Sequence, residues 1–153
     1  MQCTCTRCPV VSNFRAKDVA LGGQGAPLVP LGESYLFHGY DILLNLGGIA
    51  NVSVGAGASR SAFDVCPCNM LLNYLAERLP AGVDGDTGVQ FDDGGAVAAT
   101  GSVIDDVLRR LNELSYYTRS PPKSLSREWF QENVQLIVDV EVFQTHLMGV
   151  LFC

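Results

Sequence analysis

Hydrophobic and polar positions divide the chain into a strand-like first half and a helical second half. Tyr40-Asp41-Ile42-Leu43-Leu44-Asn45-Leu46 is a short apolar run, which reads as a buried strand. Gly47-Gly48 interrupts it, and Ile49-Ala50-Asn51-Val52-Ser53-Val54 resumes with alternation. The pattern therefore predicts strand, Gly-Gly turn, strand. A Gly/Ala/Ser stretch from Gly55 to Ser61 makes a second turn, and Ser61 to Val65 a third strand. After Pro67 the period changes. Met70, Leu71, Tyr74, Leu75 and Leu79 recur every three or four residues, as on an amphipathic helix, with Asn69 as its N-cap. A second helix is predicted over Ala96 to Leu114, with Val103, Ile104, Val107, Leu108 and Leu111 on one face. Ser126 caps a third, from Arg127 to about Val142.

Residues 1–12 have no periodicity and read as an irregular tail. Residues 13–37 read as loop-rich, punctuated by Gly22-Gly23-Gln24-Gly25, Pro27 and Pro30. Residues 80–92 form an acidic, Gly-containing loop, and no internal repeat is present. Strands followed by helices indicate an α/β arrangement.

Composition narrows the function classes. Hydrophobic residues make up 48% and charged residues 17%, with a net charge of -6. That is a globular composition. The chain has no basic stripe to neutralise phosphates, so no nucleic-acid partner is expected. A small anionic ligand stays open, because backbone N–H groups and helix N-termini bind phosphates without side-chain charge. No apolar run approaches the roughly 18 residues that span a bilayer, and Met1 to Val10 lacks the apolar core of a signal peptide. The expectation is a soluble, cytoplasmic protein without membrane contact. Six cysteines fall at Cys3, Cys5, Cys8, Cys66, Cys68 and Cys153. A zinc reading pairs Cys5-x-x-Cys8 with Cys66 and Cys68, but C-x-C is an unusual knuckle and no further C-x-x-C or H-x-x-H follows. Reduced thiols and no bound metal are expected.

Four strings could carry chemistry. Gly47-Gly48 with Asn51 forms a turn without side chains, where backbone N–H groups can approach a phosphate, although an ordinary hairpin fits as well. Asp64 stands at a strand end just before a helix start, where α/β folds place ligands. A carboxylate there can act as general base or hold Mg2+ through water. Gly22-Gly23-Gln24-Gly25-Ala26-Pro27-Leu28, small residues with one amide at Gln24, suits a substrate-lining loop. Lys123, between Pro122 and Ser124, is a candidate anion contact beside a helix start. By composition alone, both of these last strings are also plain surface loops.

Taken in order, the strings resemble the anhydro-N-acetylmuramic acid kinases, sugar kinases of the actin/hexokinase (ASKHA, ribonuclease H-like) fold. The resemblance is carried by Phe14-Arg15-Ala16-Lys17-Asp18-Val19-Ala20, by Gly22-Gly23-Gln24-Gly25-Ala26-Pro27-Leu28-Val29-Pro30, and by Leu44-Asn45-Leu46-Gly47-Gly48-Ile49-Ala50-Asn51-Val52. Phe63-Asp64 with Pro67 and Asn69-Met70-Leu71-Leu72 adds to it, as does Pro121-Pro122-Lys123-Ser124 with Arg127-Glu128-Trp129-Phe130.

The resemblance implies a partial kinase lobe over residues 13–153, comprising the lobe junction and part of the second lobe. It implies ATP and Mg2+ as cofactors and an amino sugar, 1,6-anhydro-N-acetylmuramic acid, as partner. The sugar is phosphorylated and its anhydro ring opened, giving N-acetylmuramic acid 6-phosphate in peptidoglycan recycling. Asp64 takes the family's catalytic position as general base. Gly47, Gly48 and Asn51 take the nucleotide-phosphate positions, and Gln24, Gly25 and Asn69 the substrate-binding ones.

The departures point to an incomplete or inactive kinase. The family motif Phe-Asp-Thr-Gly-Pro-Gly-Asn has Val65, Cys66 and Cys68 in place of Thr and both glycines. If those positions need a left-handed backbone, each cysteine costs about 1–2 kcal/mol. Asn13 stands where the family has Asp, and neither the Gly-Thr-Ser-x-Asp-Gly hairpin nor the later Gly-Gly-Gly segment occurs in the chain. The alternative reading is a catalytically dead chain retained for binding or for cysteine-based metal or thiol chemistry.

Overall fold

The computed structural model describes residues 10–56, 59–78 and 91–142. The N-terminal tail, most of the acidic 80–92 loop, Leu79, and Cys3, Cys5, Cys8 and Cys153 lie outside them. The described part is a mixed helix-and-sheet unit. Three antiparallel strands in the order β1-β2-β3 form the sheet: β1 Ile42–Leu46, β2 Ile49–Val54 and β3 Ser61–Pro67. The two-residue Gly47-Gly48 connection fixes the register, pairing Leu46 with Ala50 and Asn45 with Asn51. The third strand runs two residues beyond the predicted end.

Two short helices, α1 Phe14–Ala20 and α2 Val29–Leu36, occupy the stretch expected to be loop. Their apolar residues Phe14, Val19, Leu31 and Leu36 are exposed, so no buried stripe marks them in the sequence. Pro30 begins α2 rather than breaking it, as the missing proline N–H permits in a first turn. Glu33 of α2 is buried and accepts from Ser53 Oγ of β2, which seats the helix on the sheet. Arg60 donates from Nη1 to Ser53 Oγ at 2.9 Å and from Nη2 to the Tyr40 carbonyl at 2.6 Å, while its Nε is buried without a hydrogen-bond partner.

The second half is helical. It comprises α3 Asn69–Ala76, α4 Asp105–Asn112, and α5 Arg127–Trp129 continuing through a π-helical stretch Phe130–Gln135 into α6 Leu136–Val142. The helix expected from Ala96 begins only at Asp105, because Gly101 is extended (φ -83°, ψ 175°) and ends the preceding turns. Leu71 and Leu75 of α3 pack against Phe130, Val134 and Val138 to form the core, with Met70, Tyr74, Leu111 and Trp129 around it. Tyr74 meets Phe130 edge to face, with 5.6 Å between centroids. Ser126 caps α5 as expected, accepting from the Trp129 N–H at 3.2 Å. Asn69 is the first helical residue of α3, and Cys68 takes the cap position without a side-chain bond. Among the described residues, no helix is long and apolar enough to cross a membrane.

Candidate functional site

Strand alternation and register place Asn45, Asn51 and Asp64 in one row across β1, β2 and β3. All three line a cleft of about 390 Å³. The Gly47-Gly48 turn closes one end of the row. The opposite wall is Ala26 to Val29, the entry to α2, with Arg15 of α1 beside it. Sheet, turn and wall thus converge, although Ala26 and Asp64 lie 38 residues apart in sequence.

Asp64 is buried, 4% exposed. Its Oδ2 accepts from the Leu125 N–H at 2.8 Å, and its backbone carbonyl accepts from the Tyr116 hydroxyl at 2.7 Å. Its own N–H donates to the Lys123 carbonyl at 3.2 Å, so the 121–125 segment is stitched along β3. Burial pushes the carboxyl pKa up, while the Leu125 N–H and the Arg15 guanidinium pull it down. A buried carboxylate with a raised pKa facing a cleft is suited to accept a proton.

The Gly47-Gly48 turn is tied to the start of α3. The Gly48 carbonyl accepts from the Cys68 and Met70 N–H groups at 2.9 and 3.0 Å, and the Gly47 carbonyl from the Asn69 N–H at 3.1 Å. The helix's first donors, otherwise unsatisfied, are spent on the turn. A side chain at Gly48 would meet nothing within 4 Å, so the turn leaves open space beside the cleft.

The remaining sequence candidates are placed apart from the cleft lining. Gln24 is exposed. Gly25 is buried. Asn69 is exposed, its Nδ2 donating to the Leu46 carbonyl at 3.5 Å. Lys123 is 8% exposed, and its ammonium donates to the Tyr116 carbonyl at 3.2 Å and lies 4.6 Å from the Tyr116 ring centroid. That cation is engaged by the protein interior and does not line the cleft. Arg15, Asn45 and Val29 were not named as site residues from the sequence, whereas Ala26, Pro27 and Leu28 belong to the string expected to line a substrate and do line the cleft. Asn45 was within reach, since a two-residue turn sets it opposite Asn51.

Neither cysteine substitution requires a left-handed backbone. Cys66 is in β3 and Cys68 has φ -119°; Asn13 is the non-glycine residue with positive φ among the described residues. Both cysteines are half-buried free thiols. Burial, then the neighbouring Cys68, pushes the Cys66 pKa up, which keeps it protonated and unreactive. Among the described residues, no three His, Cys, Asp or Glu side chains group closely enough to hold a metal.

A family model described as anhydro-N-acetylmuramic acid kinase matches residues 1–145. The chain belongs to the anhydro-N-acetylmuramic acid kinase family. It is 44% identical over 139 residues to an anhydro-N-acetylmuramic acid kinase of Methylorubrum extorquens, covering 86% of this chain and 35% of the relative. A Salinibacter ruber relative of the same name is 46% identical over 129 residues, covering 80% of this chain and 31% of the relative. A Synechococcus relative is 42% identical over 135 residues, covering 82% and 34%. The chain spans about a third of the length of these curated relatives. In this kinase-family chain, the matched region contains the whole cleft.

Proposed function

We propose that the cleft is the part of a sugar-kinase site in which ATP phosphorylates 1,6-anhydro-N-acetylmuramic acid with opening of the anhydro ring. The observation that carries this reading is the placement of a buried carboxylate, Asp64, in one cleft with the Gly47-Gly48 turn. Residues 13–153 then correspond to the lobe junction and part of the second lobe of an ASKHA kinase.

Asp64 takes a proton from water as the water oxygen bonds to the anomeric carbon. The bond from that carbon to the bridging oxygen breaks, and that oxygen takes the γ-phosphoryl group as ADP leaves. The products are N-acetylmuramic acid 6-phosphate and ADP, and the proton rests on Asp64. The Leu125 N–H holds Asp64 in place, and Arg15 favours its charged form before the transfer. Asn45 and Asn51 offer amides to sugar or phosphate oxygens. Mg2+ characteristically uses one or two carboxylates beside phosphate oxygens. Asp64 is the carboxylate among the cleft-lining residues, which fits an ion carried mainly by ATP. When bound, Mg2+ supplies neutralisation of phosphate charge.

The 153-residue chain is expected to be inactive alone, since it contains neither family string for the first phosphate hairpin nor the Gly-Gly-Gly segment. The test is a chimera in which this chain replaces the matching third of the Methylorubrum extorquens relative. Production of N-acetylmuramic acid 6-phosphate, abolished by Asp64→Asn, supports the reading. Turnover indifferent to Asp64 overturns the base assignment. Family-like turnover by the isolated chain overturns its incompleteness.

A further inference from the structure

The Gly22 to Leu28 string reads as a substrate-lining loop; its end, Ala26 to Leu28, lines the cleft, while its glycine-rich start turns inward around one side chain, Asp18. At the end of α1, Gly22 adopts φ +89°, its N–H reaching the Val19 carbonyl at 3.0 Å, and the Gly23 N–H reaches the Asp18 carbonyl at 2.9 Å. The chain then folds back so that the Gly25 N–H donates to Asp18 Oδ2 at 2.7 Å. Arg15 Nη1 donates to the Gly25 carbonyl at 2.6 Å. Arg15 and Asp18, three apart, share one helix face and grip both polar groups of the same residue. Gly25 itself has φ +71°, and a Cβ there would lie 2.9 Å from Val19 Cγ2. A Cβ on Gly23 would collide with the Asp18 carboxylate. The glycines therefore let the chain close on Asp18. The next residue, Ala26, begins the wall that faces Asp64 and the Gly47-Gly48 turn.

We propose that Asp18 is a positioning residue which, by clamping Gly25, sets the Ala26–Val29 wall and so the fit of the sugar in the cleft. This rests on the cleft being the sugar site. Asp18 acts through backbone and is not among the cleft-lining residues. Gly23 offers an independent handle: an alanine there pushes the intact carboxylate off the Gly25 N–H. Both changes break one interaction, so their effects do not add.

The experiment uses the full chain with Asp18→Ala, Asp18→Asn, Gly23→Ala and the Asp18→Ala/Gly23→Ala double variant. Amide hydrogen exchange is read at Gly25, Leu28 and Val29, with Leu71 and Val134 as core references. Calorimetry measures binding of 1,6-anhydro-N-acetylmuramic acid to the chimera with the Methylorubrum extorquens relative carrying each variant. Asp18→Ala and Gly23→Ala should each speed exchange at Gly25 and the wall about tenfold, the double variant no more than either, with core amides unchanged. Asp18→Asn, whose amide oxygen still accepts, should stay within about threefold of the parent. Sugar affinity should fall about tenfold wherever the wall loosens. Unchanged wall exchange in Asp18→Ala, or additive effects in the double variant, overturns the clamp. A loosened wall with unchanged sugar affinity overturns the positioning role. A parent chain that shows the exchange pattern while the chimera carrying it binds no sugar supports the clamp and refutes the sugar-site reading.

Discussion

Asn51 and Asp64 face one another across β2 and β3, although the register slips immediately beyond them. Ala50 pairs with Cys66, so Val65 is the extra residue of a bulge on β3. Bulges re-aim a strand where a site needs it. Here Asp64 stays on the cleft face with Asn51, while the chain beyond Val65 comes round to begin α3 against the Gly48 carbonyl.

Burial of Asp64 makes its charge a stability cost. Its folded pKa lies above the ordinary aspartate value of 3.8. The folded state therefore holds this proton more tightly than the unfolded state, and the associated stability is full below pH 3.8 and lost as pH rises through the higher folded pKa. Asp64→Asn keeps an acceptor for the Leu125 N–H without the charge. It should raise Tm at pH 7 by about a few degrees, with the gain shrinking toward pH 4. Thermal melts across this range check it, and a variant less stable than the parent at pH 7 contradicts the assignment.

Gly48→Ala separates turn from site. Its Cβ meets nothing in the protein, so stability should change by less than about 1 kcal/mol. The added methyl occupies space beside the cleft, and in the active chimera the KM for ATP should rise about tenfold or more. An unchanged KM would place the phosphate elsewhere.

Tyr116→Phe removes the hydroxyl that donates to the Asp64 carbonyl at 2.7 Å in a site where Tyr116 is 1% exposed. Burial, and then the Asp64 charge, push the phenol pKa up, so it serves as donor throughout the physiological range. Losing it should cost about 1–2 kcal/mol. The denaturant midpoint should fall with an unchanged slope.

The outer face of β1 predicts solution behaviour. Ile42, Leu44 and Leu46 are 64%, 59% and 63% exposed, and a contiguous apolar strand face favours association. The isolated chain should self-associate in sedimentation experiments. Ile42→Lys with Leu44→Lys should raise the monomer fraction while shifting stability by no more than about 1 kcal/mol. A sharply melting, monomeric parent chain would contradict this.

The sequence alone determined the hairpin, because apolar alternation broken by a two-residue turn leaves one register, and that register aligns Asn45 with Asn51. It determined α3 and the Ser126 cap for the same local reasons, periodicity and side-chain acceptors near the backbone they serve. It did not reveal α1 and α2, whose apolar residues remain exposed and whose glycines and Pro30 read as loop. Only the tertiary structure decided that Leu125 holds Asp64, that Arg15 reaches the same cleft, that Lys123 turns into Tyr116, and that the Gly-rich loop serves Asp18. Those contacts join distant segments or reverse a local expectation, and they depend on packing, which residue spacing does not encode.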